Sequence, residues 1–296
     1  MDKQQIKRLI AERIHEDGLM ETGVEGVRLF RATTAIPCAP AVYEPSIIAI
    51  VSGTKEAVLD GARHVYDESR YLCCPISMPV TAGTPHASPD EPLLGVYISL
   101  DQRVMTELVM AMEGGTGAPL PKSATVRQGM WFSRWDESFS DALLRLLKLA
   151  RSPADTAALG AARLRELYYA ILQGEAGPAA RQAFAPGNAI ARSIAHLSSN
   201  LSAQVTIDEM AARAGMSRAV FHRRFKSATT MSPIQFVKAM RLNSAAMKIA
   251  GGMTVNQAAI DVGYVSLSQF SREFRRMHGQ SPRQWSNAQR LPLGMA

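Results

Sequence analysis

The sequence predicts an α+β chain in two parts: an N-terminal β-barrel or sandwich joined to helices, then a C-terminal unit that is all α-helix. Three observations carry this. Short apolar and β-branched runs, parted by Gly, Pro and Asp-Gly, occupy residues 23–100. Helical periodicity replaces them after Asp101. The charge is also uneven: residues 1–185 hold 19 Lys/Arg against 22 Asp/Glu, while 186–296 hold 14 against 4, a net +10 on the last third. A basic block on a mildly acidic body points to a polyanion as the partner of that block alone.

The chain has 296 residues, enough for two domains, and its 47% hydrophobic and 20% charged residues exclude disorder as its main state. Residues 1–26 read as an amphipathic helix, with Ile6, Leu9, Ile10 and Ile14 at helical spacing and Gly18 as a stop. SIIAIVSG, EAVLDG, HVYDES and LLGVYISLD read as strands, and Asp60-Gly61 is a hairpin signal. DQRVMTELVMAME reads as a helix, GGTGAPLP (114–121) as a loop, and 124–133 as one more strand, so the barrel covers about 23–133. SDALLRLLKLARSP and LGAARLRELYYAILQG are two further helices within about 136–173. Their leucines (Leu143, Leu144, Leu146, Leu147, Leu164, Leu167, Leu172) are numerous enough to cover both the barrel and a second subunit. The first domain is therefore 1–180, the linker 181–188 within GEAGPAARQAFAPGN, and the second domain 189–296.

Residues 206–233 and 254–282 repeat one plan. A helix ends at a glycine (Gly215, Gly263), a serine (Ser217, Ser266) starts a basic aromatic helix, and Ser-Pro closes the unit. This is a helix-turn-helix, at about 206–228 and again at 254–278. In the second helix of each, Phe221, Phe225 and Ala228, and Phe270, Phe274 and Met277, form a core stripe. The opposite stripes are Ala219, His222, Arg223 and Lys226, and Ser268, Ser271, Arg272 and Arg275. One packed face and one face of donors and small residues is what a helix needs to read a DNA major groove. With Ser217, Arg218, Ser266, Leu267 and Gln269 these are the candidate DNA contacts. Arg223 and Arg272 can fork onto guanine, while Lys226 and Arg275 suit phosphate. The connector PIQFVKAMRLNSAAMKIA has 18 residues, or about 27 Å of helix. That is shorter than one DNA turn of roughly 34 Å, so a rigid connector implies bent DNA.

AGMSRAVFHRRFK, MSPIQFVKAMRL and DVGYVSLSQFSREFRRMHGQSP resemble the DNA-binding domain of the AraC/XylS family of bacterial transcription regulators, over about residues 190–286. VYEPSIIAIVSGTKEAVLDG, YDESRYL, MPVTAGTPHASPDEPLLGVYISLD, DALLRLLKLARSP and RELYYAILQG are similar to the effector domain of one branch of that family, over about 20–180. The resemblance implies a cupin-like barrel that receives a small-molecule effector, and two recognition helices on promoter double-stranded DNA. It also implies a homodimer or RNA polymerase as further partners. Three positions depart from the family pattern. Thr229-Thr230-Met231 stands where Thr-Gly is common, which costs about 1 kcal/mol if the position is left-handed. Leu267 replaces a frequent proline, and Ala219 is small for its place.

Other chemistry is thinly represented. His15, His64 and His86 never form His-x-His, and no phosphate loop, G-x-S-x-G or H-E-x-x-H occurs. No cofactor, metal site or catalytic set is expected. Cys38, Cys73 and Cys74 make no disulfide framework, but Cys73 and Cys74 fall on opposite faces of a strand, so one can point into the barrel as an oxidant or electrophile sensor. Packing is the plainer role for them. Apolar runs are too short to span a membrane and the N-terminus is too charged for a signal peptide. The expectation is a cytoplasmic, effector-responsive regulator with no membrane partner. The alternatives are a cupin-like enzyme tethered to DNA and a non-specific DNA-binding protein.

Overall fold

The computed structural model describes residues 2–59, 61–116 and 129–288. The N-terminal part is two antiparallel sheets. The larger runs in the order β1 (Gly18–Glu21), β2 (Val27–Ala32), β9 (Leu93–Ser99), β4 (Ser46–Ser52), β7 (Arg70–Cys74), β10 (Trp131–Arg134). The smaller runs β3 (Ile36–Tyr43), β8 (Met78–Thr84), β5 (Lys55–Leu59), β6 (Ala62–Tyr66). β5 and β6 form the expected hairpin, with Gly61 at φ +77° where an L side chain is strained; Asp60 lies outside the described residues. Residues 117–128, which hold most of the expected loop and the start of the expected last strand, also lie outside them.

β4 shows why SIIAIVS is apolar throughout. Ile48 and Ile50 face the second sheet, joining Phe30, Leu72, Leu93, Ala57 and Tyr66. Ile47, Ala49 and Val51 face the other way, into a core built with helices. A central strand covered on both faces has no polar side to alternate with. The covering helices are α1 (Asp2–Ala11), α2 (Gln102–Thr116), α3 (Glu137–Leu149), α4 (Pro153–Gln173) and α5 (Gly177–Phe184). Asp136 caps α3 by accepting from Phe139 N, and Ser152 caps α4 by accepting from Asp155 N.

Three expectations are corrected here. The N-terminal helix stops at Ala11 rather than running toward Gly26, because residues 18–21 are claimed by the sheet as β1. Residues 181–184 of the expected linker are helical: Pro178 sits in the first turn of α5, and Ala180, Ala183 and Phe184 are buried. The α3 and α4 leucines are spent in the core, with Leu143, Leu144, Leu146, Leu147, Leu167 and Leu172 buried and Leu164 packed beside them.

The C-terminal part is α6 (Ala189–Ser199), α7 (Ile207–Arg213), α8 (Arg218–Thr229), α9 (Pro233–Ala250), α10 (Val255–Asp261), α11 (Leu267–His278) and α12 (Pro282–Ala288). α7–α8 and α10–α11 are the two helix-turn-helix units, and α9 is the unbroken 18-residue connector. Thr206 with Glu209, and Ser232 with Gln235, form capping boxes that fix the starts of α7 and α9. Phe221, Phe225, Phe236 and Met240 share a core with Ile76, Met78 and Val80 of the barrel. The second unit has its own core of Leu242, Val262, Phe270, Phe274 and Trp285.

Candidate nucleic-acid interface and the adjoining cavity

The two recognition helices are held alike. Ser217 Oγ accepts from Val220 N at 3.4 Å and Ser266 Oγ from Gln269 N at 3.3 Å, so both serines act as N-caps. At the other end Thr230 N donates to Lys226 O at 2.8 Å and Gly279 N to Arg275 O at 2.9 Å. Both caps are left-handed, Thr230 at φ 67° and Gly279 at 75°. Thr230 is the one non-glycine among the described residues with positive φ.

Phe221 and Phe225, and Phe270 and Phe274, are fully buried. The opposite faces are open: Ala219, His222, Arg223 and Lys226 on α8, and Ser268, Arg272 and Arg275 on α11, are exposed, and Ser271 is half-buried. Arg223 and Arg272 carry no ion pair among the described residues. Two other candidates have partners within the protein. Arg218 Nη1 donates to both carboxylate oxygens of Asp208 at 3.0 and 3.2 Å, bracing α8 on α7. Gln269 Nε2 donates to Glu273 Oε1 at 3.3 Å. Glu273 also accepts from Lys238 Nζ of α9 (3.0 Å) and Tyr264 Oη (2.8 Å). Burial pushes the Glu273 carboxyl up, but the Lys238, Tyr264 and Gln269 hydrogen bonds outweigh it and hold it below the usual value. The cluster locks α11 to the connector.

Met277 does not join the core stripe; it is 44% exposed. His278 takes the inward place, its ring 4.5 Å from Phe274 and 6.3 Å from Trp285, and burial lowers its pKa. Sequence reasoning also passed over Val265, which is 93% exposed in the turn before α11 and next to exposed Leu267. An apolar residue in a turn between two caps was the signal.

A cavity of about 330 Å³ lies beside this unit. Phe30, Ile48 and Tyr97 of the larger sheet, and Ile36, Lys55, Ala82 and Thr84 of the smaller one, line it. Its remaining wall is Ala246, Met247, Ala250 and Gly251 at the end of α9, with Trp285. α9 is fastened at that wall. Asn243 Nδ2 donates to Ala41 O at 2.9 Å and Val80 O at 2.8 Å, and Val42 N reaches Met247 Sδ at 3.1 Å. Trp285 Nε1 donates to Ala246 O at 2.9 Å. Arg28 also lines the cavity, 4.6 Å over the Tyr97 ring.

None of the three cysteines is in that lining. Cys73 faces the helix-covered core and Cys74 the core shared with the first helix-turn-helix unit. Burial pushes both thiols up. Cys38 is half-buried beside Glu56, Sγ to Oε2 3.6 Å, and burial and that carboxylate raise it too. A raised pKa disfavours the thiolate that oxidant or electrophile sensing requires.

Two family models match the chain: residues 23–179 match the AraC-type transcriptional regulator N-terminus and 210–288 a helix-turn-helix domain. The chain belongs to the AraC-type transcriptional regulators. Among curated AraC-type and related regulators, it is 40% identical over 80 residues to the HTH-type transcriptional regulator MtrA of Neisseria gonorrhoeae, a stretch covering 27% of each chain. It is 30% identical over 90 residues to the regulatory protein SoxS of Escherichia coli K12, covering 30% of this chain and 84% of SoxS. The fold of the whole chain is similar to that of ToxT from Vibrio cholerae, with TM-score 0.55 and 10% identity over 88% of this chain and 97% of ToxT. An unsaturated fatty acid-bound form of ToxT gives TM-score 0.53 and 10% identity over 93% and 96%. No helix among the described residues is long and apolar enough to cross a membrane.

Proposed function

We propose that this AraC-type chain regulates transcription by binding specific promoter DNA, under the control of a small molecule held in the cavity. One observation carries the reading: α9, which bears both helix-turn-helix units, also forms a wall of the cavity. A ligand that fills this space and prefers one seating of α9 shifts the relation between the two DNA-reading helices. DNA that prefers the same seating is then bound more tightly, which is a coupling free energy between the two sites. The ToxT likeness supports an amphipathic ligand, since a form of that protein holds a fatty acid.

On DNA, Arg223 and Arg272 read guanine O6 and N7, His222, Ser268 and Ser271 add shorter contacts, and Lys226 and Arg275 sit on phosphate. Ser217 and Ser266 set the helix starts, and Arg218 and Gln269 brace the reading helices from within. Among the described residues no cluster of three His, Cys, Asp or Glu side chains is placed to hold a metal.

Selection of duplexes from a random pool by the full-length protein tests the proposal. The expected outcome is a discrete motif bound on the order of 10³-fold or more tighter than scrambled duplex at physiological salt. A pool that stays random, with a steep salt dependence and no preference, would establish a non-specific binder instead.

A further inference from the structure

The cavity contains an amine with nothing to hold. Lys55 lies on β5, on the side of the strand that also carries Ala57 into the space between the sheets. It lines the cavity and has neither a hydrogen-bond acceptor nor a carboxylate partner among the described residues. Burial pulls its amine down to about 8. On the neighbouring strand, the register that pairs Glu56 with Gly83 sets Lys55 beside Thr84. Thr84 is 2% exposed, lines the same cavity, and its Oγ1 is buried with no hydrogen-bond partner. A half-buried amine whose charge is disfavoured by burial, opposite a buried hydroxyl without a partner, is unfavourable unless something accepts hydrogen bonds from both.

We propose that Lys55 and Thr84 form the head-group site of the cavity, and that the ligand is a monocarboxylate with an apolar body. The proposal rests on reading the cavity as the effector site. Lys55 Nζ and Thr84 Oγ1 donate to the carboxylate, and the body lies against Phe30, Ile48, Tyr97 and Met247. The charge of the lining agrees with one negative charge. Arg28 has Glu21 Oε1 at 4.0 Å from its Nε and the lining carboxylate Glu44 accepts from Ser77 Oγ at 2.6 Å, which leaves Lys55 as the cation of the lining without a partner among the described residues. A neutral ligand leaves the ammonium uncompensated, and a cationic one is repelled. A sugar fits the largely hydrocarbon lining poorly, since most of its hydroxyls find no partner there.

Titration calorimetry on the full-length protein at pH 7 provides the test, with octanoate, 1-octanol and octylammonium as probes of matched length. Wild type is expected to bind octanoate at least ten-fold more tightly than octanol and to reject octylammonium. Lys55→Met, checked for fold by circular dichroism, should erase the preference for octanoate over octanol. Thr84→Val should weaken octanoate by about three- to ten-fold, and serves should Lys55→Met not fold. Equal affinity for acid and alcohol, an acid preference that survives both substitutions, or no octanoate binding would each overturn the head-group assignment. Ala82→Phe, which fills the cavity, separates that failure from failure of the effector reading. If octanol binding is lost in Ala82→Phe although wild type shows no acid preference, the cavity is still the ligand site and only the head-group assignment falls. If Ala82→Phe changes no binding, the ligand sits elsewhere and both readings fall.

Discussion

Thr230 and Gly279 occupy the same place in the two repeats, the residue after the recognition helix, and both are left-handed. An L-residue in that region costs roughly 1–2 kcal/mol, more so when β-branched. Glycine avoids this cost but loses about 0.5–1 kcal/mol through the freedom of its unfolded chain. Thr230→Gly also forfeits the part-buried hydrogen bond, 2.6 Å long, from Thr230 Oγ1 to Thr229 O. With about 0.5 kcal/mol subtracted for that hydrogen bond, the net expectation is a stabilisation of roughly 0.5 kcal/mol or less. The reciprocal change isolates the backbone effect. A Cβ built on Gly279 meets nothing within 4 Å, so the cost of Gly279→Thr, roughly 1 kcal/mol or more, is set chiefly by φ. Urea denaturation followed by circular dichroism should move the midpoint up for the first variant and down for the second, at constant slope. A lower midpoint for Thr230→Gly, or an unchanged one for Gly279→Thr, would refute the argument that φ governs these two caps.

Three more outcomes are expected. Asn243→Ala strands the carbonyls of Ala41 and Val80 under α9, so it should destabilise the protein by roughly 1–3 kcal/mol in a thermal melt and speed proteolysis between the two parts; an unchanged melt and digestion pattern would show that the amide is not a fastening. Exposed Val265 and Leu267 present apolar surface beside the reading face of α11, so replacing thymine by deoxyuridine in the second half-site should weaken binding measurably, and Val265→Ala with Leu267→Ala should abolish that sensitivity. Glu273 has a folded pKa below its ordinary value of 4.5. Its contribution is therefore complete above that value and is lost as pH falls through the folded pKa; acid titration of Glu273→Gln should show a flatter loss of stability below pH 4.5 than wild type.

The parts that were legible in the sequence are those written in local residues. Ser217 and Ser266, the glycines before them and the paired phenylalanines specify two helix-turn-helix units within about thirty residues each. The double-sided apolar run of β4 likewise announces a covered strand. What escaped notice depends on distant neighbours. Lys55 in KEAVL reads as an ordinary strand lysine, and only the fold places it in a cavity whose far wall comes from α9. Asn243 looks like a polar residue within a helix until Ala41 and Val80 arrive from the barrel. Gly and Pro in GEAGPAARQAF suggested a linker, yet the alanines and Phe184 bury against the core and pull the segment into α5. Met277 and His278 exchanged roles because Trp285, from the next helix, stands on the histidine side.

The central claim is that two helices read bases, and one measurement bears on it most directly. Fluorescence anisotropy of the full-length protein on its selected duplex and on scrambled duplex would be compared with the Arg223→Ala/Arg272→Ala variant. The account predicts that the variant loses about 1–3 kcal/mol of preference at each site while keeping salt-sensitive affinity for both duplexes. Undiminished discrimination by the double variant would contradict it.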